Sequence, residues 1–239
     1  MNVIVTGVSK GLGLKICEDL LKKGHTVYGF SRTKTELLNT LISEYTNYFF
    51  HFSFDLSNSD LIYDFLKKEI GYDVKIDAFV NNAAIAYDDL STNLNISKLQ
   101  KMYNVNVFTP MVITKFVIKN MLYNKLEGSI VHISSISTQT GYKGLSMYAS
   151  TKGSIESYSK NISREWGEKK IRSNCVVVGF MSTDMSSTLS DFQKSKIINR
   201  NSLKELTDLS TVSNTVEFLI SKSSKSITGQ LINVDSGTI

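Results

Sequence analysis

Thr6-Gly7-Val8-Ser9-Lys10-Gly11-Leu12-Gly13 lies between a short apolar run, Val3-Ile4-Val5, and an amphipathic stretch from about Gly11 to Lys23 that Gly24 closes. The run reads as a strand and the stretch as a helix. A glycine-rich turn at such a junction lets the backbone bend tightly and approach a ligand. The amides and positive end of the following helix then stabilise an anion such as a pyrophosphate. Any strand-to-helix turn can carry glycine, so the placement after the first strand says more than the glycines themselves.

Outward from this turn the alternation continues. Thr26 to Phe30 reads as a second strand, and Thr33 with Glu36 as a capping box opening a second helix. Phe49 to Phe54 reads as a strand, Asp60 to Ile70 as a helix and Ile76 to Val80 as a fourth strand. A long helical stretch from about Ser97 to Tyr123 follows, in which Pro110 reads as a kink or a start. Then come a strand Ser129 to Ile133, a helix Tyr148 to Trp166 with Ile155, Tyr158, Ile162 and Trp166 on one face, and a strand Ser173 to Val178. Short β-rich runs alternating with longer helices specify a parallel sheet covered on both faces, the doubly wound α/β class. With 239 residues, one domain spanning 1–239 is expected. The polar segment 182–202, with Met185, Leu189 and Phe192 as its sparse apolar residues, reads equally as a lid over a site or as a surface connection.

Composition excludes more than it assigns. Hydrophobic residues at 41% and charged residues at 21% are those of a globular chain, not of a disordered one. The net charge of +5 reads as a solvated lysine surface, because the lysines are scattered and lack the aromatic interleaving of a nucleic-acid groove. No nucleic-acid partner is therefore expected. Cys17 and Cys175 have no CxxC spacing and read as buried, reduced thiols. Neither a leader nor a run of eighteen apolar residues is seen, so the expectation is a cytoplasmic protein with no membrane partner. His25, His51 and His132 lack partners at ligand spacing, and no metal is expected. Asp88-Asp89 reads as a solvated loop pair, and no Gly-x-Ser-x-Gly elbow is present.

Tyr148 and Lys152 stand four residues apart, which on a helix puts both side chains on one face. With 11 tyrosines in the chain, about one such pair arises by chance, and Tyr63 with Lys67 is a decoy inside an ordinary amphipathic helix. Context separates the two. Ser134-Ser135 ends the strand that precedes Tyr148 by thirteen residues, and strand ends on that side line a crevice.

The turn's Thr-Gly-x-x-x-Gly-x-Gly spacing, Asn81-Asn82-Ala83-Ala84 after the fourth strand, and Asn106, Ser135, Tyr148 and Lys152 in order resemble the motifs and catalytic tetrad of classical short-chain dehydrogenases/reductases. The pattern is most similar to the 3-oxoacyl-[acyl-carrier-protein] reductase branch, and the resemblance reaches the closing Ile227-Thr228-Gly229-Gln230 and Asn233-Val234-Asp235-Ser236-Gly237, with Ser236 where glycine is usual. It implies a single-domain Rossmann-type sheet and a nicotinamide cofactor held by Gly7, Ser9, Lys10, Gly11, Leu12, Gly13, Asp55, Leu56, Asn82 and Ala83, by Tyr148 and Lys152, and by Met181 and Thr183. The last two belong to Val178-Gly179-Phe180-Met181-Ser182-Thr183, where Val178 replaces the family's proline and is expected to loosen the turn. At the end of the second strand no acid is present. Arg32 stands there instead and Lys10 adds a second cation, so NADP(H) is preferred over NAD(H), with a solvated loop arginine as the alternative.

The implied activity is NADPH-dependent reduction of a ketone to a secondary alcohol. Tyr148 acts as acid in reduction and base in oxidation, its pKa brought down by the Lys152 ammonium and an oxidised nicotinamide. Ser135 donates to the substrate oxygen, Lys152 also binds the nicotinamide ribose, and Asn106 anchors a proton-relaying water. The substrate is a small-molecule or carrier-bound carbonyl compound, with a 3-oxoacyl thioester leading. Lys125, Lys169 and Lys170, read as flanking the site, are placed to dock an acidic carrier. A sugar or other polar ketone is the runner-up. A non-catalytic NADP-binding regulator is the alternative of another class, countered by the complete tetrad. A homotetramer or homodimer through the helices around Asn106 and Ile155 is also implied.

Overall fold

A computed structural model describes residues 1–182 and 191–239. Its strands are β1 (Asn2–Thr6), β2 (Thr26–Ser31), β3 (Phe49–Ser53), β4 (Ala78–Asn81), β5 (Gly128–Ser135), β6 (Ile171–Val178) and β7 (Leu231–Val234). They form one sheet in the order β3-β2-β1-β4-β5-β6-β7, parallel throughout. The chain winds outward from β1 to β3, returns to lay β4 beside β1, and winds the other way. This reversal opens a crevice at the carboxyl ends of β1 and β4.

The helices are α1 (Gly11–Lys22), α2 (Glu36–Glu44), α3 (Ile62–Glu69), α4 (Ile96–Tyr103), α5 (Thr109–Tyr123), α6 (Ser137–Thr140), α7 (Ser146–Trp166), α8 (Asp191–Arg200) and α9 (Leu209–Ile220). Val3, Val5, Val131 and Val176 pack with α1, α2 and α9 on one face of the sheet. Ile4, Phe79 and Ile130 pack with α3, α5 and α7 on the other. Because alternate residues of each strand face opposite layers, both must be apolar, which is why Val3, Ile4 and Val5 are all fully buried. On the edge strand, Phe50 and Phe52 stack on Tyr28 and Phe30 of β2, each pair at 5.2 Å.

Several expectations are corrected. The second helix begins one residue before Leu37 with Thr35, not Thr33, as its cap: the Thr35 hydroxyl accepts from the Leu38 amide and donates to the Ser9 carbonyl. The Thr33 carbonyl instead accepts from Ser31. The expected single helix from Ser97 to Tyr123 is interrupted by a π-helical turn at Asn104–Phe108, and Pro110 falls in the first turn of α5, where a missing N–H costs no hydrogen bond. Lys125, Lys169 and Lys170 lie at the opposite end of the sheet from the crevice, since they precede β5 and β6 and strands enter at that edge; the Lys170 carbonyl accepts from Gly128 at the start of β5. Val178 stands in the ladder opposite Ser135 and Val234, and its carbonyl accepts from Ile136. Of the segment expected as a lid, residues 183–190 lie outside the described residues, and α8 occupies much of the remainder.

Candidate active site

The turn after β1 is built by hydrogen bonds that only its sequence allows. Gly7, at φ +76°, donates its amide to the Phe30 carbonyl at 2.7 Å. Gly13 needs to be bare for another reason: a Cβ there would lie 2.1 Å from the Gly7 carbonyl oxygen and 2.5 Å from the Asn82 amide nitrogen. Asn82 in turn donates to the carbonyls of Thr6 (2.9 Å) and Gly7 (3.3 Å), while the Thr6 hydroxyl accepts from the amides of Asn82 and Ala83, both at 3.1 Å. The two motifs at the ends of β1 and β4 are thus stitched into one unit. No side chain caps α1 and no acid occupies its first turn, which leaves the positive helix end to face the cleft.

That cleft has a volume of about 280 Å³. Its wall at one end comprises the turn residues Gly7, Ser9, Lys10, Gly11, Leu12 and Gly13 together with Asn82 and Ala83. Beside them stand Arg32, Asp55 and Leu56, and also Lys101 from α4, which sequence reasoning misses because it belongs to no motif and arrives by the packing of α4. The Ser57 amide, above all, holds the Asp55 carboxyl below its ordinary value, with Arg32 and Lys101 adding to the effect. Cations with donors are concentrated at this end, as a phosphorylated ribose requires.

At the other end Tyr148, Lys152 and Met181 line the cleft. Thr183 lies outside the described residues. The floor is made where the last three residues of β5 meet α7. The Ser135 hydroxyl acts on the Tyr148 phenol, Lys152 Nζ donates to the Ile133 carbonyl at 2.8 Å, and Ser134 Oγ donates to Glu156 Oε1 at 2.5 Å. Ser135 Oγ also accepts from the Ser137 amide at 3.2 Å. Asn106 is 2% exposed and sits in the π-helical turn, a departure from regular helix geometry that is frequent at functional sites. Its side chain accepts from the Ile85 amide and donates to the Ile85 carbonyl, both at 2.9 Å, and to Thr151 Oγ1 at 3.0 Å. Those contacts tie the segment after β4 to α7, so the side chain's groups are engaged by protein partners.

Electrostatics depart from expectation at Tyr148. Burial and then the Asp88 carboxylate push its phenol above the ordinary value, and the Ser135 hydroxyl only partly opposes them. Lys152 Nζ lies 5.6 Å from the centre of the Tyr148 ring. It points at the Ile133 carbonyl and is itself pushed down by burial to about 8. Asp88, read as solvated, is exposed, and partial desolvation raises its carboxyl. The decoy pair is elsewhere: the Tyr63 hydroxyl bonds that of Tyr72 at 2.9 Å, remote from the cleft. Cys17 and Cys175 are free and buried. Among the described residues there is no cluster of three or more His, Cys, Asp or Glu side chains that could hold a metal ion, and no helix is long and apolar enough to cross a membrane.

Comparison with known proteins places this arrangement. The family model described as short chain dehydrogenase matches residues 1–194. The 3-oxoacyl-[acyl-carrier-protein] reductase FabG of Buchnera aphidicola subsp. Schizaphis graminum is 30% identical over 236 residues, covering 99% of this chain and 96% of that protein. Among solved structures, ElxO with NADP bound is 27% identical with a TM-score of 0.90, covering 99% of this chain and 98% of that one. A 4-hydroxyisoleucine dehydrogenase complexed with NADH and succinate shares the fold, with a TM-score of 0.91 at 23% identity, over 99% and 98% of the two chains.

Proposed function

The chain belongs to the short chain dehydrogenase family of oxidoreductases, and from that premise we propose that it reduces a ketone to a secondary alcohol with NADPH, taking a 3-oxoacyl thioester as substrate. The observation that carries the reading is the docking of Ser135 and Ile133 on Tyr148 and Lys152 at one end of a cleft whose other end gathers Lys10, Arg32 and Lys101. The donor set fits a phosphorylated dinucleotide: bare glycines beside an uncapped helix end for the pyrophosphate, and Arg32 with Lys10 for a 2′-phosphate. Whole-length relatives named as 3-oxoacyl-[acyl-carrier-protein] reductases support the thioester.

When bound, the nicotinamide supplies the hydride. Tyr148 delivers the proton to the oxygen that becomes the alcohol, and a phenol held above its ordinary value arrives protonated, as reduction requires. Ser135 donates to the same oxygen and stabilises its developing charge. Lys152, anchored on the Ile133 carbonyl, would hold the nicotinamide ribose and supply a positive charge at this end of the cleft. Asn106 braces Thr151, and through it the helix turn that carries Tyr148. With Lys125, Lys169 and Lys170 at the far edge of the sheet, an acidic carrier would approach the crevice without them. A homo-oligomer and a soluble setting accompany this reading.

A second substrate reading, a sugar or other polar ketone, is favoured by Asp88, an exposed carboxylate whose charge acts on Tyr148 and which accepts hydroxyl groups well. The test is consumption of NADPH, and of NADH in parallel, with an acetoacetyl thioester and with polyhydroxy ketones. Tyr148→Phe is the control and should lower kcat by about 10²- to 10⁴-fold while NADPH still binds. Turnover of polyhydroxy ketones alone would move the substrate to the second reading. Full activity of Tyr148→Phe would sink the mechanism.

A further inference from the structure

Three consecutive residues at the end of β5 face three α7 residues spaced by four: Ser135 acts on the Tyr148 phenol, while Ile133 and Ser134 are hydrogen-bonded to Lys152 and Glu156. The first two pairs belong to the reaction described above. The third does not, yet Glu156 shares their helix face, because residues at i, i+4 and i+8 align. Its Oε1 is also within 3.0 Å of the Thr138 hydroxyl, which in turn lies 2.9 Å from the Ser135 carbonyl. One carboxylate oxygen therefore grips the strand end from both sides of Ser135.

We propose that Glu156 is a positioning residue for the reduction, holding the Ser134–Ser135 segment in place against Tyr148 and keeping Lys152 in its ammonium form. The inference rests on the reductase reading above.

The charge argument follows from what else faces Lys152. His132 approaches it from β5, Cys175 from β6, and Tyr148 and Glu156 from its own helix. Burial keeps the His132 ring neutral, lowering it to about 3, and pushes the Cys175 thiol up to about 12. Tyr148 is likewise held in its neutral form. Of these four, Glu156 is the one carboxylate, four residues from Lys152 on the same helix face. Burial drives Lys152 down to about 8, and loss of the carboxylate charge would drive it further in the same direction.

The clamp and the charge are separable by two variants. Glu156→Gln keeps an acceptor for Ser134 and Thr138 but removes the charge, and Glu156→Ala removes both. Three properties are measured from pH 6 upward in wild type and both variants: kcat and KM for NADPH oxidation, NADPH affinity by nicotinamide fluorescence, and thermal stability. Glu156→Gln should lose kcat and NADPH affinity at a pH about one unit below wild type, with its acid-side kcat preserved. Glu156→Ala should lose kcat by about tenfold or more on the acid side as well, through a misplaced Ser135, with KM for NADPH unchanged there. The Gln variant thus rescues the Ala defect only where Lys152 is charged, a pattern that simple loss of packing does not produce. Wild-type pH limbs in both variants would overturn the proposal, as would activity losses that merely track lower Tm at every pH. If wild type reduces no ketone at all, the reductase reading falls, while the pH dependence of NADPH affinity in Glu156→Gln still decides on the charge role.

Discussion

Gly13→Ala tests whether the glycine turn is shaped by its own packing or only tuned for a ligand. The added methyl would sit 2.1 Å from the Gly7 carbonyl oxygen, 2.5 Å from Asn82 Nδ2 and 2.8 Å from the Gly7 carbonyl carbon. Two of these are backbone atoms, so relief requires the turn to move by about 1 Å, the overlap beyond an ordinary carbon–oxygen contact. Movement on that scale breaks the Asn82 bonds to Thr6 and Gly7, at about 1 kcal/mol each. Overpacking adds about 1–3 kcal/mol. The sum, about 3–5 kcal/mol, corresponds to a fall in Tm of roughly 6–20 °C for a chain of this size. Gly153→Ala is the matched control: it lies inside α7, nothing stands within 4 Å of the place its added methyl would take, and Ala is the better helix former. It should stabilise by about 0.5–1 kcal/mol. Differential scanning fluorimetry with and without NADPH reads both. A Gly13→Ala protein with wild-type Tm and NADPH affinity would refute the packing argument outright.

Two further outcomes follow from the charges. Arg32→Ala should weaken NADPH by about ten- to a hundredfold, the worth of one charged hydrogen bond to a 2′-phosphate, and leave NADH nearly unchanged; equal weakening of both cofactors would assign Arg32 to packing. His132, fully buried, is held down to about 3 by burial, so it stays neutral in the fold while the unfolded chain's imidazole protonates below about 6.5. The unfolded state then binds more protons, and stability is complete above that value and lost as pH falls towards 3, at about 1.4 kcal/mol per unit. Urea titrations at stepwise lower pH should show this slope in wild type and a shallower one in His132→Gln, where an amide oxygen can still meet Asn81; identical slopes would remove His132 as the source.

Much of the fold is written locally. Val3-Ile4-Val5 followed by the glycine turn and an amphipathic helix can hardly be read another way, because parallel strands buried on both faces need unbroken apolar runs. Misreadings occur where two local signals compete. Thr33 and Thr35 both precede Glu36 at plausible cap spacings, and Thr35 prevails because its hydroxyl also reaches the Ser9 carbonyl, a contact with a distant turn. The π-helical turn around Asn106 leaves no mark in apolar periodicity, since Val105 and Val107 within it and Met102 and Ile113 on either side are all buried. Lys125, Lys169 and Lys170 escape placement for a topological reason: sequence distance from the site motifs does not tell which end of a strand a residue adjoins.

The site divides along a similar line. Residue types that chemistry dictates, such as a phenol and an amine one helical turn apart after a serine-ended strand, are recognisable because few other residues could do their work. The groups that aim them are not, because almost any donor or acceptor of suitable reach would serve. Lys101 joins Arg32 and Lys10 only through the packing of α4, and Thr6 joins the β1 and β4 motifs through a hydroxyl that strand propensity would equally favour. Glu156 offers one legible signal, its place at i+8 from Tyr148 and i+4 from Lys152, a carboxylate on the helix face that otherwise meets the cleft and the buried strand end. A charged group is costly to bring into such a place unless it is bonded there. Its two hydroxyl partners, Ser134 at the end of β5 and Thr138 in α6, satisfy that requirement, and they are the reason to assign it a part in holding the strand end to the helix.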